Sequence, residues 1–437
     1  MANPPVPSTI FPTQERFVNV ARELVPGTVP ASSGQSYPVV NFDPEDKPIW
    51  LPDESLRGAM GDIYDMLQGP MIAETSIPAS PVYMDMIGHP LCNILGDYTQ
   101  SAPAATPNTT LTAQALAGAT TLTVTSGTSF TVGMWIQVYQ AGSSGPAEIV
   151  QVLSGASTSI TLQAATPLRF NHANGSTVTN TSVSAGTYQH SFSVLNSSLV
   201  GSGIYTNFGQ PPTHTYTDRT QVPATGLARQ YAFARHSDVT LTGNAEKLLM
   251  WNGAITSFTG QIASSPPSAS FSTVRAVPAW QTTVQLATTG ALAPIYNIGE
   301  WVITLTRQVE AYFPNDGSQN PFVIGAGKMS VNGKLTVSPA VDETALLYML
   351  NNTQPQFEVL VTNGRTTSDP LYLALQVDVP FADYDTSKIN SSKSLFGYDV
   401  GFKTTHTATT RNSVTTTGWS GGYSAVKVTI NNAVPIF

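Results

Sequence analysis

Charged side chains are scarce in this chain: they make up 11% of its 437 residues, where an average soluble domain carries roughly 25%. A surface so poor in charge must be covered by Thr, Ser, Asn and Gln, or hidden between subunits. Bases are scarcer than acids, 19 against 27, for a formal charge of −8. That balance disfavours tight phosphate binding, which needs clustered Lys and Arg. Cys92 is the single cysteine, so an intrachain disulfide framework is impossible, and no CxxC or His/Cys cluster offers a structural zinc site. Its apolar neighbours predict a small core residue. Long apolar runs are missing too: no window approaches the roughly 18 residues of a membrane span. The first residues, MANPPVPSTIFPTQERF, do not follow the basic-then-apolar order of a signal peptide. The expectation is a protein made in a cytoplasm and soluble until it assembles.

Catalytic patterns are equally thin. GWSGG, Gly418 to Gly422, fits the G-x-S-x-G spacing, but that chemistry needs a strand-to-helix turn and a later His. The last histidine, His406, lies upstream, so a glycine-rich hairpin tip is expected. The six histidines are scattered, with no HExxH and no pair at metal-ligand spacing. Carboxylates cluster in DPEDKP (Asp43 to Pro48) and FADYD (Phe381 to Asp385). Neither has a calcium-loop pattern or a nameable catalytic partner, so both read as solvated turns. No enzymatic activity, metal or cofactor is expected.

What is present is β pattern. Residues 1–35, rich in Pro, Gly and Ser with a short amphipathic piece around Gln14 to Leu24, read as an N-terminal arm. YPVVNF (Tyr37 to Phe42) has strand character. SPVYMDMIGHPLCNILG (Ser80 to Gly96) has helical spacing that Pro90 should break or kink. Ser101 to Thr110 reads as a low-complexity linker. From Leu111 to Ser182 short alternating runs are divided by Gly, Ser and Asn, with only Glu148 and Arg169 charged. That segment predicts a small all-β module inserted into a larger domain. Its Trp135 and Tyr139 share one strand side, as a sugar platform would need, though a module core accounts for them more simply. GEWVITLTRQVEAYF (Gly299 to Phe313) is the longest β pattern, and GKMSVNGKLTVSP is its expected hairpin partner.

Two segments share an order. VNGKLTVSPAVDETALLYML (Val331 to Leu350) and LQGPMIAETSIPASPVYMDMI (Leu67 to Ile87) each run from an X-Gly pair through a strand to a proline and a short helix carrying Tyr-Met. In the first, Asp342 and Glu343 fit first-turn acids of a helix. A duplicated unit is expected: 36–110 with 183–290 as the first copy, 291–437 as the second, and 111–182 as the insert.

On ELVPGTVP (Glu23 to Pro30), SPVYMDMIGHPLCNILGD, the pair YQHSFSV and HTYTDRTQVP, DVTLTGNAEKLLMWNGAITSFTGQIA and the terminal AVKVTINNAVPIF, the chain resembles the tail tube proteins of long-tailed bacteriophages, of the duplicated kind. The resemblance covers most of the chain except the insert. It implies two β-sandwich or barrel units, each with a long hairpin and a short flanking helix. Its implied partners are other copies of itself in stacked rings, three duplicated chains to a ring in place of six single ones, and the tape measure, tail terminator and tip proteins. It further implies a lumen that conducts double-stranded DNA without specific binding, and a place in the virion tail after synthesis in the bacterial cytoplasm. An acidic, base-poor wall suits that role, because repulsion over a Debye length of about 8 Å keeps phosphates off it. Candidate lumen acids are Asp62, Asp65, Glu74, Glu300 and Glu310; a solvated face, or inter-subunit ion pairs with Arg307 or Lys334, would also account for them. The competing class is a carbohydrate-binding or adhesive virion surface protein, suggested by the insert and the Thr/Ser/Gly richness.

Overall fold

The computed structural model describes residues 16–30, 34–55, 63–101, 107–139, 148–164, 167–168, 170–180, 188–194, 210–220, 228–263, 267–269, 271–272, 274–290, 292–315, 317–338, 344–363, 373–390, 396–406, 418–419, 422–432, 434 and 437. The fold is mainly β and its sheets are antiparallel. The largest has twelve strands: β1 (Arg16–Arg22), β2 (Gln35–Tyr37), β3 (Glu45–Asp53), β4 (Asp65–Pro81), β13 (His214–Thr220), β14 (Ala228–Asn244), β15 (Met250–Ser257), β16 (Gln261–Ile262), β19 (Ile298–Tyr312), β20 (Val323–Val337), β23 (Ala382–Asn390) and β24 (Gly397–Thr404). A seven-stranded sheet holds β5 (Gly96–Ser101), β12 (Tyr188–Val194), β17 (Thr282–Ala287), β18 (Ala293–Ile295), β21 (Gln356–Thr362), β22 (Ala374–Val379) and β27 (Lys427–Asn432). Its order is β18-β17-β21-β22-β27-β12-β5.

The two sheets share one core. Trp301, Ile303 and Leu305 of β19 and Val239 and Leu241 of β14 meet Val359, Val377, Val428 and Ile430 of the second sheet in one cluster. Between the layers lies α1 (Gly88–Leu95), every residue of it buried, against β14, β12 and β5. Pro90 does not break this helix. It occupies the first turn, where backbone N–H groups have no intrahelical partner and a missing one costs little. At the other end the Arg307 guanidinium of β19 donates to the Ile94 and Leu95 carbonyls at 2.6 and 3.2 Å, and Gly96 closes the helix at φ 87°. The second helix, α2 (Thr344–Leu350), packs on β23 and buries none of its residues. Asp342 and Glu343 lie outside the described residues. The shared Tyr-Met does not occupy equivalent places: Tyr348 is inside α2, whereas Tyr83 is in the turn before α1.

The inserted module is a six-stranded sheet of order β6-β11-β8-β9-β10-β7, made of β6 (Asn108–Thr110), β7 (Thr121–Thr123), β8 (Trp135–Tyr139), β9 (Glu148–Ala156), β10 (Ser159–Leu162) and β11 (Thr177–Asn180). It has its own core, including Leu122, Phe130, Ile136, Val138, Val152 and Val178. β6 falls in the stretch that composition marks as linker, yet it pairs with β11. β25 (Gly418–Trp419) and β26 (Gly422–Tyr423) form a separate small hairpin, the setting expected for GWSGG.

The N-terminal arm expected over 1–35 is corrected from residue 16 onward. RFVNVAR is a strand, paired along its whole length with β13; Phe17, Val18 and Val20 are core residues despite the Pro- and Gly-rich sequence around them. The ELVPG turn, just beyond β1, fixes the most strained point of the fold. β14 is bulged at two places, as its register with β13 and with β15 shows, and Phe233 takes the left-handed conformation, φ 56°. Such a residue costs on the order of 1–3 kcal/mol. The buried Glu23 carboxylate offsets it by accepting the Phe233 N–H at 2.7 Å, the Thr215 hydroxyl at 2.7 Å, the Thr213 hydroxyl at 2.6 Å and the Gly27 N–H at 2.6 Å. Gly27, φ 80°, lies where a Cβ would be 3.0 Å from the Phe233 ring.

Glu23→Gln should lower the unfolding free energy by about 2–3 kcal/mol, measured by denaturant melts, because each carboxylate oxygen accepts one backbone N–H and either amide orientation sets an NH2 group against one of them. A loss under about 0.5 kcal/mol would contradict this account.

Five of the six histidines are buried, His172 in the inserted module and His89, His190, His214 and His236 in the host fold. His190 accepts from the Tyr98 hydroxyl at Nδ1 (2.7 Å), and its Nε2 donates toward Asn432 Oδ1 (3.0 Å) and the Val434 carbonyl (2.8 Å), which sets its neutral tautomer. Burial pushes His89 and His236 down to about 3, and His214 and His190 down as well. As pH falls from about 6.5 towards 3 the unfolded chain takes protons that these imidazoles refuse, so this contribution to stability is progressively lost. Melting temperature measured across that window should fall at its acid end, and the fall should be shallower in a His236→Gln chain.

Candidate functional site

Eight strands of the large sheet run in the order β3-β4-β15-β14-β19-β20-β24-β23. Along β19 the buried Trp301, Ile303, Leu305 and Arg307 point to the core, so Glu300, Thr304, Thr306, Gln308 and Glu310 face the other way. Directly opposed residues share a face. Asp238, Thr240, Thr242 and Asn244 of β14 therefore join them, followed by Asn252 and Ala254 of β15 and Ser76 and Glu74 of β4. On β3, Glu45 opposes Glu74 and Asp53 opposes Asp65. In the other direction come Ser330, Asn332, Lys334 and Thr336 of β20, Asp399 and Lys403 of β24, and Asp383, Thr386 and Lys388 of β23.

The face is thus a layer of Thr, Ser and Asn with carboxylates in excess, interrupted by apolar residues that the same register places on it: Ile72 opposite Lys47, Leu51 opposite Leu67, and Val302 opposite Thr242 and Lys334. Register places Glu45, Asp53, Asp65, Glu74, Asp238, Glu300, Glu310, Asp383 and Asp399 on it against Lys47, Lys328, Lys334, Lys388 and Lys403, with no arginine exposed on it among the described residues. Three of the lysines already pair within the chain: Lys47 with Glu74 at 2.6 Å, Lys334 with Asp399 at 3.2 Å, and Lys403 with Asp385 at 3.1 Å. Burial opposes ionisation of Asp399, but hydrogen bonds from Asn390 and Thr336 and the Lys334 ammonium outweigh it and hold its carboxyl below the usual range. Burial raises Asp238 despite hydrogen bonds from Thr240 and Thr306.

Of the sequence candidates, Asp65, Glu74, Glu300 and Glu310 lie on this one face, and Asp62 falls outside the described residues. The ion-pair partners proposed for them are corrected. Arg307 is on the core side, capping α1, where burial lowers it to about 10; Lys334 is taken by Asp399 of its own chain. The acid clusters read as turns are corrected too: Glu45 to Pro48 belongs to β3 and Ala382 to Asp385 to β23, the two outermost strands of the eight. Asp238, Asp383 and Asp399 were missed, although the alternation in DVTLTGN (Asp238 to Asn244) would have placed the first of them opposite Val239 and Leu241. Trp135 and Tyr139 do share a strand side, but it is the side away from the module core, which Ile136 and Val138 fill. Cys92 is a buried free thiol pushed up to about 12 by burial.

A second carboxyl pair lies on the outer side of the seven-stranded sheet, where Glu358 of β21 opposes Asp378 of β22. Gln376 donates to both, at 3.2 and 2.8 Å. Burial and then the neighbouring Asp378 charge raise Glu358 to about 7; Asp378 is raised by burial, with Gln376 and Lys427 pulling against it. The pair holds a proton near neutrality. No family model matches the chain, and no curated protein matches its sequence.

Between about pH 4.5 and 7 the native chain holds this proton and the unfolded chain does not, so the Glu358 contribution to stability is present at the acid end and lost as pH rises through 7. Glu358→Gln should therefore stabilise at pH 8 by about 1 kcal/mol, after discounting for solvent screening, and have little effect at pH 4.5. Paired urea melts at the two pH values check this, and equal effects at both would refute it.

Proposed function

We propose that the chain is a self-assembling structural protein of a virion, the subunit of the tail tube of a long-tailed bacteriophage, and that three copies close into a ring. The observation that carries this reading is the strand order of the eight-stranded run. β3-β4-β15-β14 and β19-β20-β24-β23 share one plan: a hairpin, then a second strand pair whose later strand lies beside the hairpin and whose earlier strand lies outermost. The two sets join through antiparallel pairing of β14 with β19. The same junction, repeated between molecules, pairs β23 with β3 of the next copy. Each is nine residues long and borders no further strand among the described residues. An exposed edge of this length is a template for association unless it is covered. Ile49, Trp50 and Leu51 on β3 and Ile389 on β23 expose large apolar side chains.

Geometry favours three. Strands about 4.8 Å apart give three eight-stranded sheets a circumference of roughly 115 Å and a backbone diameter near 37 Å before tilt. With side chains of about 5 Å inside the wall, roughly 27 Å remains, enough for a duplex about 20 Å wide. Two chains would leave roughly 14 Å, too narrow, and six would leave about 60 Å. The acid-rich face, on which no arginine is exposed among the described residues, would line that bore, where like charge and the scarcity of counterion-releasing contacts let DNA pass without adhering. The tape measure protein would occupy the bore first, with terminator and tip proteins at the ends. No helix among the described residues is long and apolar enough to cross a membrane. The adhesive alternative has support in Trp135 and Tyr139, which the module turns away from its core.

Electron microscopy of the purified chain should show stacked rings with an open bore. Dispersed monomers, or fibres without a bore under all conditions tried, would overturn the reading. Trp50→Lys or Ile389→Lys, which places a charge on an edge strand, should abolish rings while leaving circular dichroism unchanged.

A further inference from the structure

At one end of the sandwich, a cavity of about 260 Å³ lies between the β14–β15 turn, the chain leading into β17, and the β18–β19 turn. Its lining, which includes Gly243, Thr282, Ile298 and three large aromatics, contains no charged residue. Two of these aromatics are among the more exposed of the molecule: Trp280 at 66% and Tyr296 at 91%. The third, Trp301, is only 3% exposed, and its indole Nε1–H is buried with no hydrogen-bond partner. That nitrogen lies over Gly243, its cross-strand partner, where a Cβ would come within 2.2 Å of it. Thr282 Oγ1, also in the lining, is buried and unpartnered, and so is the side-chain oxygen of the neighbouring Gln281.

Unmade hydrogen bonds at buried polar atoms cost about 1–3 kcal/mol each, so the two in the lining of this cavity, Trp301 Nε1–H and Thr282 Oγ1, call for an occupant. The set narrows its chemistry. An indole N–H can only donate, and a threonine hydroxyl both donates and accepts. A fitting ligand must therefore present groups that accept and donate side by side, as hydroxyls do. The uncharged lining disfavours phosphate, carboxylate or ammonium. The exposed ring faces offer flat apolar surfaces beside these polar atoms, suited to a molecule with one C–H face and a hydroxyl rim.

We propose that this cavity binds one pyranose ring of an uncharged sugar, with Trp280 and Tyr296 stacking on its C–H face and Trp301 Nε1–H and Thr282 Oγ1 meeting its hydroxyls. The site is separate from the acid-rich face and from the inserted module, and it does not depend on ring formation. A proline-rich peptide is the principal competitor, since aromatic-lined grooves also take such segments and the chain begins MANPPVPSTIFPTQE. A pyranose carries donor and acceptor together on each hydroxyl of its rim, the pairing that Trp301 Nε1–H and Thr282 Oγ1 ask for, so the sugar fits the orphan groups better.

The test titrates the full chain with maltohexaose, cellohexaose, chitohexaose and a synthetic MANPPVPSTIFPTQE peptide, following tryptophan fluorescence and saturation-transfer NMR. The expected result is saturable binding of at least one sugar with millimolar or tighter affinity. Trp280→Ala/Tyr296→Ala should weaken it at least tenfold, with an unchanged circular dichroism spectrum. Trp301→Phe, which keeps an aromatic ring in the core and removes the N–H, should weaken it about fivefold with an unchanged circular dichroism spectrum. No binding of any of the three sugars, binding that survives the double substitution, or saturable binding of the peptide alone would each overturn the proposal. Rings seen by microscopy with no sugar binding would sink the site and leave the assembly reading standing.

Discussion

Everything in the host fold depends on one strand that must belong to two sheet segments at once. The N-terminal part of β14 pairs with β13 and β16, and its C-terminal part with β15 and β19. A flat strand cannot change partners in this way. Two bulges supply the bend, and the left-handed Phe233 sits in the first. Strain of this kind persists only when its surroundings over-determine it. Glu23 does so from a turn more than 200 residues earlier in the chain, and Arg235, two residues on, donates to the Pro211 and Ile324 carbonyls at 2.8 and 2.5 Å. Burial lowers that guanidinium to about 10. The few buried charges of a charge-poor protein are thus concentrated where the backbone is least comfortable and where β14 meets the strands of the second half.

The same economy accounts for the two sides of the eight-stranded run. One side is covered by the second sheet and α1, and carries Trp, Ile, Leu and Val. The other has no described layer above it, and apart from the β3–β4 end, where Leu51 and Leu67 are exposed, it is neither apolar nor densely charged. Short β-branched and amide side chains keep it polar, and its lysines are largely used up by carboxylates of the same chain. Exposed pairs of this sort add at most about 1 kcal/mol each to stability. Their larger effect is to cancel positive charge locally, leaving a field set by the remaining acids. A wall past which a polyanion must slide needs that property more than it needs affinity.

How much of this could be read from the residues varied with the physics of each element. β19 and β20 were legible as a hairpin because alternation over fifteen residues has one reading, and α1 because its apolar spacing survived a proline in the first turn. β3 and β23 were misread as turns: EDKPIWLPD has two prolines, and FADYD has three polar side chains in five. Prolines are tolerated on edge strands, and the two in β3 fit its place at the end of the eight-stranded run. β1 was hidden because its pairing partner, β13, lies about 200 residues away, a distance no local pattern encodes. The shared face of Asp65, Glu74, Glu300 and Glu310 needed register, which bulges in β4 and β20 shift and periodicity alone cannot recover. The orphaned Trp301 N–H had no signal in the sequence at all.

The contrast between the two helices arises at the edges. α1 packs on β14, the outermost strand of its four-strand set, and is sealed because β19 continues the sheet and Arg307 reaches across to its carbonyls. α2 packs on β23, the strand in the corresponding place, but nothing described continues the sheet beyond it. Leu347 and Leu350 accordingly remain half or more exposed on α2. A short helix with an apolar side open to water is not stable by propensity alone, since isolated helices under about 12 residues are marginal. Under the proposed assembly, β3 of the next copy does for α2 what β19 does for α1. The incomplete burial of one helix and the open edge of the sheet are then a single deficiency, and one intermolecular junction removes both.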